Sequence, residues 1–270
     1  MMREGTEMPA GRRRVLVPWR RFGPRRDSIG PARPARMALR SLAPCLTAGL
    51  LAHPVAAQDG DAPLFQVPPG CTAYVTVQLR NCQVAHQYRC AGDAPGDQWS
   101  VFLDGQGAYF ATKIDAETRW IESVDMETGE TDTLGPETDP ASFSVLLRSG
   151  RDDFDFFTES TTGEVLRFVG YDQLTGGRAV IDGVPLERTT FSLTAYNMDG
   201  SLAWKREGQQ FIHRDWRIFY SDRETFENGL GERFDTTDAP VEFDFPGDKG
   251  FLTTEPKFDC DVLSASLEVP

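Results

Sequence analysis

From Cys71 onward, apolar residues recur at every second position of the chain. This period is typical of β-strands that bury one face, since successive side chains of a strand point to opposite sides. Tyr74 is an exception within the first such segment, and the phase of the alternation changes after Arg80-Asn81. A two-residue turn explains that change of phase. The sequence therefore predicts that the pattern begins with an antiparallel β-hairpin.

The register of this hairpin predicts how four cysteines pair. Leu79 opposes Cys82 across the turn, which places Cys71 opposite Cys90 on the same face. Cys82 and Cys90 cannot bond to each other, because they lie on one extended strand whose residues advance about 3.3 Å each. We therefore predict the disulfides Cys71–Cys90 and Cys82–Cys260. Cysteine pairs without Cys-x₂-Cys spacing favour disulfides in an oxidising compartment over a zinc site, and we predict neither a metal nor a cofactor.

Short alternating segments separated by turn residues continue to residue 225, so the predicted fold class is all-β. About ten antiparallel strands in sequence order form a meander, and a sheet of that size curls, so we expect a barrel or half-barrel. A two-sheet sandwich is the alternative. One short helix is predicted, with Asp139 as its cap, Pro140 at its first position and Gly150 at its end. The predicted strands after the hairpin are Trp99–Asp104, Ala108–Ile114, Arg119–Met126, Phe154–Thr158, Glu164–Gly170, Arg178–Ile181, Leu186–Asn197, Leu202–Ile212 and Arg217–Thr225, with Val241–Phe245 as an edge strand.

The amino-terminal region differs from the rest of the chain in composition. Residues 1–36 contain ten arginines and no apolar periodicity, which indicates a disordered segment or an over-long gene prediction. Residues 37–57 combine a short basic region, an apolar run and the small residues Val55-Ala56-Ala57, which is the pattern of a cleaved signal peptide. The sequence therefore predicts export to the periplasm or the outside of the cell, with residues 58–270 as a single β domain.

The predicted mature chain is strongly acidic. Residues 58–270 retain 17 of the 28 basic and 38 of the 41 acidic residues, which leaves a net charge of −21. A field of this sign repels phosphate backbones, so we expect no nucleic-acid partner. No segment contains the roughly 18 consecutive apolar residues that a membrane span requires, so we expect no membrane span.

The search for catalytic residues gives one weak pair, His213 and Asp215. Two residues apart in a strand, they would share a face, and the carboxylate could orient the imidazole as a general base. No Gly-x-Ser-x-Gly motif or other spacing assigns a nucleophile for that base to activate. A structural histidine is therefore the favoured interpretation of His213. Acidic clusters such as Asp152-Asp153 leave calcium binding open, although no twelve-residue calcium loop is present.

Phenylalanine is unusually frequent on the predicted strands. Most of these rings are expected to form a core. In a sheet that curls without filling its interior, they would instead line a pocket for an apolar or amphiphilic ligand, because concave sheets and barrel mouths are common ligand sites. The partner classes left open are such a ligand or another protein.

Five segments resemble a group of uncharacterised exported proteins of Gram-negative bacteria: Cys71–Cys90, Ile114–Trp120, Tyr171–Gly176, Ile181–Val184 and Asp215–Arg217. The resemblance covers most of the mature chain and implies export, but it brings no activity and no site residues. The predicted meander is also similar to periplasmic half-barrel carriers of lipid, which is an analogy of fold alone. The function predicted is therefore an exported, non-catalytic binding or interaction module. The alternative is a hydrolase that uses His213 and Asp215.

Overall fold

The structure, a computed structural model, describes residues 65–260, most of which lie in β-strands. The predicted leader 1–36 and signal peptide 37–57 lie outside the described residues. The single helix within those residues is α1 (Phe143–Ser149). The strands are β1 (Cys71–Leu79), β2 (Gln83–Cys90), β3 (Gln98–Asp104), β4 (Gly107–Ile114), β5 (Trp120–Asp125), β6 (Thr131–Asp139), β7 (Arg151–Ser160), β8 (Val165–Ile181), β9 (Val184–Asn197), β10 (Leu202–His213), β11 (Ile218–Asn228), β12 (Arg233–Thr237) and β13 (Pro240–Asp244).

All of these strands belong to one antiparallel sheet. From β1 to β12 each strand pairs with the next one in the chain, and β13 pairs with the other side of β1. The all-β antiparallel meander with one short helix is therefore confirmed. The sheet does not close into a barrel, because the order of hydrogen-bonded strands begins with β12 at one edge and ends with β13 at the other. The described strands do not divide into the two sheets of a sandwich.

The sheet curls until strands from its two ends pack together. Val77 of β1, Phe243 of β13 and Phe211 of β10 belong to one buried cluster. Tyr220 of β11 contacts Phe243 edge to face, with ring centroids 5.5 Å apart. A flat sheet would leave these side chains in water, so burial of apolar surface drives the curl.

The two edge strands are consecutive in the chain and are joined only by Asp238 and Ala239. The Asp238 amide donates to the carbonyl oxygen of Asp222 in β11, and the Ala239 carbonyl accepts from the Arg80 amide beside β1. Asp238 and Ala239 therefore connect the two ends of the sheet through the backbone at one end of the curl. We call these two residues the edge link.

The outer face of β1 and β2 is covered by the carboxy-terminal segment. Thr76 and Gln78 point outward from β1, yet each is 0% exposed. The Leu252 amide donates to Thr76 Oγ1 at 2.8 Å, and the Gln78 amide group bonds the backbone of Glu255 at 3.1 Å and Lys257 at 3.0 Å. This segment replaces the solvent that an outward-facing strand would otherwise meet.

Both predicted cysteine pairs are bonded, and the hairpin register needs one correction. Cys71 bonds Cys90, and Cys82 bonds Cys260. The predicted opposition of Leu79 and Cys82 is wrong, because Leu79 pairs with Gln83. A β-bulge at Tyr74 shifts the register by one residue, and Cys82 lies in the turn with a positive φ of 55°.

Helix α1 begins later than the sequence predicts. Ser142 is its cap and accepts a hydrogen bond from the Val145 amide, whereas Asp139 ends β6. Gly150 ends the helix in the left-handed conformation, as predicted. Phe143 and Leu146 are buried between the helix and the sheet.

Candidate functional site

The curl of the sheet forms a partly open cavity of about 220 Å³. Each of the strands β1 to β11 contributes at least one side chain to the lining of this cavity. The edge link contributes Asp238. The wall has an aromatic part, formed by β5, β7 and β9, and a polar part, formed by β2, β10 and β11. A ligand in this cavity would therefore meet apolar and polar surface together.

The aromatic part of the wall is built from inward positions of neighbouring strands. Trp120, Phe154, Phe156 and Phe191 line the cavity. Behind them Phe168, which is 0% exposed, stacks on Phe156 with ring centroids 5.2 Å apart. Rings held from two sides in this way keep their orientation, so this part of the wall is preorganised.

Gly170 makes room for one of these rings. It pairs with Phe154 across β7 and β8, and a Cβ atom at position 170 would lie 2.8 Å from Phe154 Cε2. The same atom would collide with the carbonyl oxygen of Ser192. A glycine is therefore required here for the Phe154 ring to lie against the backbone.

Asp172 places a carboxyl group in this otherwise apolar region. It lines the cavity from β8 and pairs directly with Asp152 of β7. Burial raises the pKa of Asp172 to about 8, and the neighbouring Asp152 raises it further in the same direction. Burial also raises the pKa of Asp152 to about 6, although its Oδ2 accepts a hydrogen bond from the Ser142 amide at 2.7 Å.

The polar part of the wall contains two hydrogen-bonded networks. Arg206 Nε donates to Glu224 Oε1 at 2.7 Å, and both side chains are nearly buried. Asp238 Oδ1 accepts from Asn81 and from Gln83, each at 3.1 Å. Burial raises the pKa of Asp238. Removal of one member of such a network leaves a buried polar group without its partner, so the networks define this end of the cavity.

The structure does not place His213 and Asp215 on the same strand. β10 ends at His213, and Asp215 lies exposed in the following turn, so the prediction that the two share a strand face is wrong. The backbone turns after His213, whose carbonyl oxygen accepts from the Arg217 amide at 3.0 Å, and the Trp216 ring stacks on His213 at a centroid distance of 3.8 Å. His213 Nδ1 accepts from the Trp216 amide at 3.2 Å.

That hydrogen bond fixes the tautomer of His213. A neutral imidazole whose Nδ1 accepts carries its proton on Nε2, so neither nitrogen offers a free basic lone pair. Burial lowers the pKa of His213, and the negative charge of Asp215 offsets only part of this decrease. The geometry favours a structural role, in which the ring supports Trp216.

We expect His213→Ala to cost about 1–2 kcal/mol of unfolding free energy, because it removes one hydrogen bond and a buried ring stack. Chemical denaturation measures this, and a shift of tryptophan fluorescence should accompany it. Hydrolysis of a generic ester by the wild type that disappears in the variant while the fold is kept would support the hydrolase alternative instead.

Sequence reasoning predicted aromatic residues on an inner face but missed the polar groups among them. Asp172 continues the inward phase of Leu166, Phe168 and Gly170 in β8. A charged residue in the buried phase of a strand is a signal that could have identified it. Asp238 had no such signal, because its position depends on where the edge strands meet.

Other features of the described residues add no further site. Within 65–260, no three His, Cys, Asp or Glu side chains are grouped so that they could hold a metal ion. The same range contains no helix with the length and apolar character needed to cross a membrane. In comparisons with known proteins, no family model, curated protein or solved structure matches the chain.

Proposed function

We propose that the protein is a non-catalytic binding module that holds a small apolar or amphiphilic ligand inside the curled sheet. The observation that carries this proposal is the cavity of about 220 Å³ with a preorganised aromatic wall. Concave sites with mostly apolar walls and a few oriented polar groups are typical of ligand binding. Contact of a ligand with Phe154, Phe156 and Phe191 would remove apolar surface of both the ligand and the protein from water.

The cavity volume restricts the size of the ligand. An engineered apolar cavity of roughly 150 Å³ accommodates benzene, which has six non-hydrogen atoms. By the same proportion, a cavity of about 220 Å³ accommodates roughly nine non-hydrogen atoms. The part of the ligand that this cavity holds is therefore the size of one ring with a short substituent, and a whole phospholipid does not fit inside it.

We place this binding function in the periplasm or outside the cell. Two disulfides within the described residues are compatible with an oxidising compartment. The signal-peptide pattern of residues 37–57 and the resemblance to exported proteins support the same location. The amino-terminal sequence of the mature protein would test it, and a chain that still begins at Met1 would contradict it.

Indole is a suitable probe, because it has nine non-hydrogen atoms and is neutral. In a titration followed by ¹H–¹⁵N NMR, we expect saturable shifts of amides on β7, β8 and β9. Ala85 of β2 lines the cavity and is 2% exposed, so Ala85→Phe should fill the space and abolish those shifts. Ala94→Phe, which adds the same ring to an exposed loop, is the matched control and should bind as the wild type does.

The dispersion of the NMR spectrum shows whether Ala85→Phe has kept the fold, since a larger side chain in a buried site costs stability. Shifts confined to the protein surface, or equal binding by a folded Ala85→Phe variant, would overturn the placement of the ligand. Native mass spectrometry of protein purified from the periplasm provides an independent test, because it detects a retained small molecule directly.

A further inference from the structure

We propose that the ligand is a single-ring arylalkylamine, whose ammonium group is held by the carboxylate of Asp172 and whose ring lies against Phe154 and Phe191. This inference rests on the proposed binding function and specifies the chemistry of the ligand. It follows from which hydrogen-bonding groups of the cavity wall are already satisfied and which are not.

The unsatisfied groups of the wall are hydrogen-bond acceptors. Glu137 Oε1 and Gln210 Oε1 are buried without a hydrogen-bond partner, and both residues line the cavity. Among the lining residues, no side-chain nitrogen is buried without a partner. Acceptors need donors, and an ammonium group supplies three.

The cations of the wall are already engaged. Arg119 contacts Asp115 at 2.6 Å and Glu137 at 3.1 Å, and Arg206 is paired with Glu224. These are the two basic side chains that line the cavity. A ligand with a carboxylate or phosphate would therefore bring a buried negative charge to a wall whose arginines are neutralised, at a large cost in desolvation. This excludes fatty acids from the proposed ligand class.

The surroundings of Asp172 favour a cation. Asp152 lies opposite it on β7, and Phe191 is its neighbour on β9. Asp139 and Glu117 add negative potential behind Asp152 and raise the pKa of that carboxyl. Aromatic faces also attract ammonium groups, most strongly where water is excluded. A positive charge at this point is therefore stabilised both by the carboxyl groups and by the rings.

Binding of an amine at Asp172 changes the protonation of the site. Burial holds the pKa of Asp172 at about 8 in the free protein, so most molecules carry a neutral carboxyl group at pH 6 to 7. An alkyl ammonium group stays charged in this range, because the pKa of such amines is about 10.4. The ion pair therefore requires Asp172 to release a proton, and affinity should rise about tenfold per pH unit below pH 8.

The test compares three ligands that share a phenyl ring and a short chain: 2-phenylethylamine, 2-phenylethanol and phenylacetate. Isothermal titration calorimetry at pH 6 and pH 7 measures their dissociation constants. We expect the amine to bind at least tenfold more tightly than the alcohol at pH 7, and phenylacetate to bind more weakly than either. Only the affinity of the amine should rise with pH, and calorimetry in two buffers should detect about one proton released.

Asp172→Asn tests the residue itself. The asparagine keeps the shape of the side chain but cannot become negative, so the preference for the amine, its pH dependence and the proton release should all disappear. Asp153→Asn is the matched control, because Asp153 is on the same pair of strands, opposite Tyr171, and points to the exposed face. Its binding should resemble that of the wild type.

The outcomes separate this inference from the proposed function. Equal affinity for the alcohol and the amine, or a preference that survives in Asp172→Asn, would overturn the amine while leaving a ligand site in the cavity. Tighter binding of phenylacetate would do the same. If neither indole nor any of the three ligands binds saturably, the binding function and the amine are both wrong.

Discussion

Replacement of Asp172 by Asn is expected to stabilise the fold, by an amount that grows as pH rises from 4 to 8. Burial raises the pKa of Asp172 to about 8 in the folded protein, whereas a carboxyl group in the unfolded chain titrates near 3.8. Between these values the folded state holds a proton that the unfolded state has lost, so wild-type stability falls with rising pH. A shift of this size corresponds to roughly 5 kcal/mol at pH 8 and to almost nothing below pH 4.

Urea denaturation of the wild type and Asp172→Asn at pH 4, 6 and 8 measures this difference. His86 acts in the opposite sense, because burial lowers its pKa to about 4 and stability falls as pH drops below 6.5. Since both proteins contain His86, the difference between them isolates Asp172. Asp153→Asn should show no gain that grows with pH, because its partner Arg151 lowers the pKa of Asp153. A constant difference between Asp172→Asn and the wild type would contradict the buried, neutral carboxyl group.

Loss of the Cys82–Cys260 disulfide is expected to cost more than loss of Cys71–Cys90. The two bonds close segments with sequence separations of 178 and 19 residues. Constraint of the unfolded chain grows with the logarithm of loop length, which gives about 5 kcal/mol for the longer loop and about 3 kcal/mol for the shorter one. Double alanine variants of each pair, compared by chemical denaturation, measure these costs.

The two variants also differ in where the structure should loosen. Without Cys82–Cys260, hydrogen exchange should increase in residues 251–259 and on the outer face of β1, because the Gln78 bonds to Glu255 and Lys257 lose their anchor. The Cys71–Cys90 variant should keep this protection. Equal exchange in both variants would show that hydrogen bonds alone hold the carboxy-terminal segment.

Much of the fold could be predicted from the sequence because it depends on local patterns. Period-two alternation and glycine-containing turns predicted most of the strands, and the hairpin predicted both cysteine pairs. Strands β6 and β12 were not predicted, and β8 was predicted as two strands, Glu164–Gly170 and Arg178–Ile181. The bulge at Tyr74 was not predicted, although Tyr74 interrupts the alternation. Its side chain donates to Gln98 Oε1 at 2.7 Å, and that partner lies on β3, so the contact that holds the Tyr74 side chain is not local.

The site was less predictable because a cavity depends on how far a sheet curls. The sequence indicated inward aromatic rings but not whether side chains would fill the space between them. His213 and Asp215 were chosen for their residue types, and a turn separates them. Asp172 lies in the segment Tyr171–Gly176, whose resemblance to exported proteins brings no site residues, and it matches no catalytic or binding motif. Its properties come from burial and from Asp152, which precedes it by twenty positions in the chain.

The edge link has a consequence for the order in which the chain can fold. A chain synthesised from its amino terminus presents β1 and β2 first, but their outer face is completed by residues that lie 177 to 179 positions later. Asp238 and Ala239, which join the two ends of the sheet, also come after all twelve strands from β1 to β12 have left the ribosome. Contacts of such long range form slowly, and unpaired strand edges associate with other chains in the meantime. We therefore expect refolding that is slow and sensitive to protein concentration, with the amino-terminal hairpin dependent on chaperones until the last strands arrive.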